Sequence, residues 1–493
     1  MREHPNRVSN PLRAGSTSRC GGALHVLFPA LVLSESLGMT MALTGCSCSA
    51  WNTNDADSTG DDPDVSDQSD ASNDTGVVDD SEQSDASNDT GVVDDSEQDT
   101  PEEDTAETDP VPVCFPVFGE GYDVAGLGLE VIPRGRPPTD CGDCCWQVSF
   151  SEDRLTLPLP QSLDVWDRYL AYSTWEGYCG TDCVDSIVLV DLQEGIEYLV
   201  EERKREPSDP AILHDVVAGT AIFESSLYYS HAQIMTDAED GYLLCEIVKY
   251  SLETGIREVI TSFELCHDAD FCVCPRFLDA QEDSLVWEDN RDAHTFQVRT
   301  FDLVSRAEVM STDNFATDPQ IWNGVVAYDY FPTVVSGTGV YDIPTSSMRV
   351  FSDGEHDRWY VHVNGNTITW SDAREGGTRS SQTYADIYMM NLATEVETPV
   401  CTHPASQFGS FVFGDIIVWS DLRDDPFNPN DYTMAENYNS YGYRISTGEE
   451  FRVTDLPGRE WAMEMFEDRV FFLMDDGTGI DKIFMKVVDP GYD

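Results

Sequence analysis

The 493-residue sequence predicts an all-β protein, a seven-bladed β-propeller of four-stranded antiparallel blades behind a disordered acidic tether. Three observations carry that reading. A short phrase built on an aromatic residue recurs every 40 to 65 residues, as in GNTITW at 365–370 and GDIIVW at 414–419. Short β-rich runs separated by Gly, Asn and Asp follow each phrase, with no helical period of any length. A unit of that size holding about four strands is one propeller blade.

Seven phrases align on their aromatic residue: Tyr172, Phe223, Trp287, Tyr328, Trp370, Trp419 and Phe472. A large ring in mid-strand suits the space between neighbouring blades. Second runs follow, among them SIVLVDLQEG at 186–195 and DIYMMNLATE at 386–395. In blades three, five and six the phrase continues as WEDNR, WSDAR and WSDLR. The pairs Asp289 and Arg291, Asp372 and Arg374, and Asp421 and Arg423 therefore occupy one place in three hairpins. A local role is expected, Asp closing the turn through the backbone and Arg pairing with it at the rim.

Blade seven, as read, is one strand short at the end of the chain. The apolar runs CWQVSF (145–150) and RLTLPL (154–159) precede blade one. One of them is expected to complete blade seven and remove its open edge. The expected domains are 1–45, 46–110, a Cys-containing lead-in over 111–162, and the propeller over 163–493.

Charge limits the partners. Lys and Arg total 28 against 92 Asp and Glu, and acids dominate the expected propeller as well as the spacer before it. Such a surface repels phosphates and anionic headgroups, which argues against nucleic acid and against membrane contact other than through a lipid anchor. Basic proteins, neutral glycans and divalent cations are compatible, and adaptation to a salty habitat explains the acidity without any partner. Residues 51–110 hold 22 acids, no base, and SDASNDTGVVDDSEQ twice in tandem at 69–83 and 84–98. A segment of that composition cannot offset its ordering entropy by burial, and it reads as a spacer. Calcium is the rival reading, but the spacing lacks the alternating ligands of a calcium loop.

Ahead of the spacer stand Arg2, Arg7, Arg13 and Arg19, an apolar stretch from Ala23 to Leu43, and LTGC ending at Cys46. This resembles a bacterial lipoprotein signal, which implies cleavage before Cys46, acylation of its thiol and attachment to the cell envelope. An uncleaved membrane helix or a misplaced start is the alternative.

The repeats resemble those of TolB-type β-propellers, the periplasmic component of the Tol biopolymer-transport system, over roughly 163–493. The family pattern reads turn, two apolar residues, Trp or Phe, Ser, Asp, any residue, Arg, then Asp-Ile-Tyr and Asp-Leu-x-x-Gly. Blades five and six match it best. The helical domain that precedes the propeller in TolB has no counterpart here.

Twelve cysteines besides Cys20 and Cys46 suggest disulfides in an exported chain. Cys179 and Cys183 could staple the loop after blade one. CGDCC holds a CxxC, but no second pair accompanies it, so zinc and other metals are not expected. Of the histidines, His214 and His362 fall in the inner strands that line the channel, nine and eight residues before their anchors. In that register they point to opposite faces. No catalytic constellation, cofactor site or phosphate loop stands out. The expected function is a non-enzymatic, envelope-anchored scaffold for a protein or peptide. The alternative is a glycan-binding or polysaccharide-degrading propeller, to be recognised by aromatics and carboxylates converging on the channel.

Overall fold

The computed structural model describes residues 116–488 apart from 117, 135–140, 150–161, 175–183, 205–216, 236–241, 265–273, 292–294, 314, 332–334, 375–383, 431–434, 436 and 476–480. Cys46, the leader and spacer, His214, Cys179, Cys183 and the run at 154–159 lie outside the described residues.

Seven antiparallel sheets surround one axis. From the axis outward, blade three runs Arg276–Gln281, Ser284–Asp289, Gln297–Asp302 and Ala307–Ser311. The other inner strands are Leu163–Trp166, Val217–Phe223, Phe315–Trp322, Arg358–Asn364, Gln407–Phe413 and Glu460–Phe466. Burial falls outward, from a second strand with five of six residues buried to a fourth strand that is almost wholly exposed. Blade seven takes its outermost strand, Cys145–Gln147, from the lead-in, with Trp146 opposite Met485. The ring is thus closed by hydrogen bonds between the two ends of the domain. Glu130–Val131 adds a short fifth strand to blade one.

The recurrent Trp-Ser-Asp-x-Arg phrase is a two-sided fastener, because successive residues of a strand face opposite sides of the sheet. The ring of Trp370, fully buried, packs back on Ala327 and Val340 of blade four, and Trp419 packs back on Ile387 of blade five. The next residue reaches forward. Ser371 Oγ accepts the Gly409 N–H of blade six at 3.0 Å, and Ser420 Oγ accepts the Ala462 N–H of blade seven at 3.0 Å. Glu288 and Asp329 do the same for Asp318 and Tyr360, each at 3.1 Å. The Asp returns to the tryptophan's side, and the carboxylates of Asp289, Asp372 and Asp421 accept their indole N–H at 2.7, 2.9 and 2.9 Å. Each Arg then clamps its Asp. Arg374 also crosses the ring of Tyr388, 3.7 Å from its centre, to Glu397 on the outer strand at 2.6 Å. Burial would raise the Asp372 carboxyl, but Arg374 and Trp370 outweigh it and hold the group below its ordinary range.

Blade two departs from the sequence reading. Phe223 ends the inner strand, whereas the other six anchors lie on second strands. Its phrase is ESSLYY, and Tyr229 is the fully buried anchor on the second strand Ser226–Met235. The apolar pattern of AGTAIF misled because an inner strand alternates as a second strand does. His231 is likewise within that strand and not in a connection.

Described disulfides join Cys141 to Cys145 and Cys245 to Cys274, the second tying blade two to the approach of blade three. Cys401 is a buried free thiol.

Replacing Asp372 by Ala strips the Trp370 indole and the Arg374 guanidinium of a buried acceptor. We expect the unfolding free energy to fall by about 3–5 kcal/mol, measured by urea denaturation. A change below about 1 kcal/mol would show that the fastener is dispensable.

Candidate active site in the central channel

Counting back from the corrected anchors brings the inner strands into one register. Ten residues before the anchor stand Gly219, Phe277, Asp318, Tyr360 and Gly409, all with left-handed backbone at φ between 49° and 79°. Inner strands bulge at this point. Glycine serves at 219 for a second reason, since a Cβ there would lie 2.5 Å from Leu278 Cδ1 and 3.1 Å from Arg276 Cα. The bulge presents its N–H to the acceptor of the preceding blade and sets the register of the remaining inner-strand residues.

Eight residues before the anchor stand Asp164, Ala221, Asp279, Gln320, His362, Phe411 and Glu464. Six before it stand Trp166, Phe223, Gln281, Trp322, Asn364, Phe413 and Phe466. Most members of both layers line one cavity of about 50 Å³ on the axis. The later layer closes the hairpin end with a chain of ring contacts. Phe223 meets Trp166 at 4.3 Å, Trp166 meets Phe466 at 5.2 Å, Phe466 meets Phe413 at 5.1 Å, and Phe413 meets Trp322 at 5.2 Å between centres. Phe223 is therefore part of this stopper.

The acid layer is held by the neighbouring blade. Asp164 accepts the Ile222 N–H and its own chain's Val165 N–H, each at 2.7 Å, one on each oxygen. Asp279 repeats this with Ile321 and Ala280, again at 2.7 Å. His362 Nδ1 accepts the Val412 N–H at 3.3 Å, which places the ring proton on Nε2, and Nε2 faces Glu464 Oε1 at 3.6 Å. Burial lifts the Asp164 carboxyl well above its ordinary range, with Asp279 and Glu464 adding repulsion. Burial likewise pushes Asp279 up to about 7; the Ile321 N–H opposes that rise, Glu464 adds to it and His362 opposes it. Among the described residues that line the cavity there is no Lys or Arg.

A raised carboxyl does not alone mark a site. Glu288 is also pushed to about 7 by burial, yet it spends its oxygens on Arg276 and the Asp318 N–H within the wall. The channel carboxyls differ in facing a shared cavity. Among the described residues no group of three or more His, Cys, Asp or Glu is placed to hold a metal ion.

The hairpin pairs anticipated from sequence, Asp289 with Arg291, Asp372 with Arg374 and Asp421 with Arg423, sit between strands of their own blades and away from the cavity. Asp164, Asp279 and Glu464 were missed. Their signal was a shared offset of eight residues before Tyr172, Trp287 and Phe472, concealed among many acids.

No family model and no curated protein matches the chain. Solved propellers do. The β-propeller domain of the Trilobed protease from Pyrococcus furiosus is 13% identical with a TM-score of 0.45, covering 66% of this chain and 94% of that one. Oligogalacturonate lyase in complex with manganese is 13% identical with a TM-score of 0.45, covering 73% and 97%. A putative TolB from Agrobacterium tumefaciens is 12% identical with a TM-score of 0.34, covering 59% and 93%. The match to acylaminoacyl peptidase from Pyrococcus horikoshii spans only about half of that enzyme's length, 51%. These likenesses show the fold alone. The expectation of a non-enzymatic scaffold without a catalytic constellation is nevertheless corrected. Three carboxyls and an imidazole line one cavity in the channel.

Asp279 gives the site a signature in stability. Its folded pKa lies above the unfolded one, so burying it costs nothing below about pH 4, and the cost grows until pH passes about 7. Asp164, itself raised by burial, lines the same cavity, and Glu464 and His362 act on Asp279 from across it. Asp279→Asn removes the ionisation. Its stability relative to the wild type is expected to rise by about 2–3 kcal/mol between pH 5 and pH 8, read from denaturation at both values. A pH-independent difference would mean that Asp279 ionises freely.

Proposed function

We propose that the protein is a glycan-active enzyme whose acid–base groups are the carboxyls of the central channel. The observation that carries this reading is the convergence of Trp166, Trp322, Phe413 and Phe466 with Asp164, Asp279 and Glu464 on one cavity. The aromatic wall gives an inserted substituent an apolar surface and keeps water out, and a carboxyl protonated near neutrality donates the proton that a leaving glycosidic oxygen needs. A paired acid and base in different surroundings is what glycoside cleavage asks of two carboxyls. Here Asp279 donates to the departing oxygen as the C–O bond breaks, and Glu464, set against His362, takes the proton of the attacking water.

The cavity admits a few water-sized groups and no pyranose ring. The sugar therefore sits at the end away from the aromatic stopper and presents one substituent inward. We further propose that Cys46 carries a lipid anchor and that the acidic spacer lets the propeller reach polymer beyond the membrane. The LTGC sequence and the composition of 51–110 support this. The phrase in blades five and six supports kinship with TolB-type propellers.

The test is release of reducing ends from a panel of neutral, amino and acidic polysaccharides by the full-length protein. Turnover of at least one is expected, falling above about pH 7 as Asp279 ionises. Asp279→Asn should lower kcat/KM by about 100-fold or more while the protein stays folded. No turnover on any polymer would end the proposal.

A further inference from the structure

Three features of the channel describe the group it accepts. Asp164, Asp279 and Glu464 line one cavity without Lys or Arg among the described lining residues. The wall beside the acids is a continuous aromatic surface. The volume, about 50 Å³, suits a compact head group.

An anion fails on every count, since three carboxyls would repel it and no cation would receive it. A neutral hydroxyl would fit but would leave the mutual repulsion of the acids unrelieved. A primary ammonium group answers each feature. Its three N–H bonds match the carboxylate oxygens, its charge offsets theirs, and aromatic faces attract it as water is excluded. The formal net charge of −64 would draw a cationic polymer toward the protein and repel a polyuronate.

We propose that the channel binds a primary ammonium substituent, and that the substrate is accordingly a 2-amino sugar polymer with free amines. This rests on the glycan reading and narrows it to one class. The Gln320 side chain, which makes no hydrogen bond within the protein among the described residues, lies in the same layer and supplies a carbonyl oxygen to the same group.

The experiment uses the full-length protein and three tetrasaccharides: glucosamine, its fully N-acetylated counterpart and oligogalacturonate. Affinity is read by calorimetry at pH 6.5. The glucosamine oligomer is expected to bind at least tenfold tighter than either other sugar. Asp279→Asn and Trp322→Ala should each weaken it at least tenfold. Millimolar methylammonium chloride should displace it, where sodium chloride of equal ionic strength does not. Equal or tighter binding of the acetylated or acidic sugar overturns the ammonium inference and leaves the glycan reading intact. Binding of none of the three, together with a silent polysaccharide panel, overturns both. Glucosamine binding that ignores methylammonium assigns the affinity to the acidic surface and overturns the channel site.

Discussion

The left-handed bulge near the start of an inner strand is the constraint on which the rest depends. Seven sheets meeting at an axis cannot bond laterally edge to edge as strands of one sheet do. The bulge turns a backbone N–H out of the ladder and toward the preceding blade, where Ser371, Ser420, Glu288 or Asp329 accepts it. A buried N–H without such a partner would cost about 1–3 kcal/mol. The acceptor therefore has to follow directly on the aromatic that fills the same interface from the other side. That pairing of a backward-facing ring with a forward-facing acceptor is why the chain repeats Trp-Ser-Asp. The Asp and Arg that complete the phrase keep the ring in its rotamer and tie second, third and fourth strands together.

The same bulge decides what reaches the axis. After it, alternate residues face the channel in two layers, and the two layers have opposite characters. The aromatic layer is ordinary core chemistry, stabilised by burial and by edge-to-face ring contacts. The acid layer is the reverse, because Asp164 and Asp279 are buried beside a repelling neighbour with no Lys or Arg among the described lining residues. Hydrogen bonds from Ile222 and Ile321 fix their positions without removing their repulsion. Groups that a fold holds at such a cost are better explained by chemistry than by architecture.

Much of the architecture was legible in the sequence, since propeller repeats write the interface residues out once per blade. Trp287, Trp370 and Trp419 could be found by eye, and so could the Asp and Arg beside them. The completion of blade seven was legible as a missing strand and two spare apolar runs, although only the structure selects Cys145–Gln147. The channel was far less visible. Its residues obey an offset from the anchor and no motif, although Asp164, Asp279 and Glu464 each stand eight residues before an anchor that the sequence reading places. Histidine and cysteine are scarce enough to attract attention, whereas three particular acids among 92 are not.

The odd number of blades gives the channel its direction. Titratable residues occupy the eighth position before the anchor in blades one, three, five and seven, with Ala221, Gln320 and Phe411 between them. Around an even ring that alternation would close on itself, and every acid would have a neutral neighbour on both sides. Around seven it cannot, so Glu464 of blade seven and Asp164 of blade one stand in adjacent blades. Asp164 is repelled by Asp279 and then by Glu464, and Glu464 also raises Asp279. His362 lies beyond that seam with Nε2 turned to Glu464, so a proton held near the seam has an imidazole on one side and two carboxyls on the other. The seam is also where the lead-in strand closes the ring. The asymmetry that chemistry requires thus arises from the same closure that makes a finite propeller.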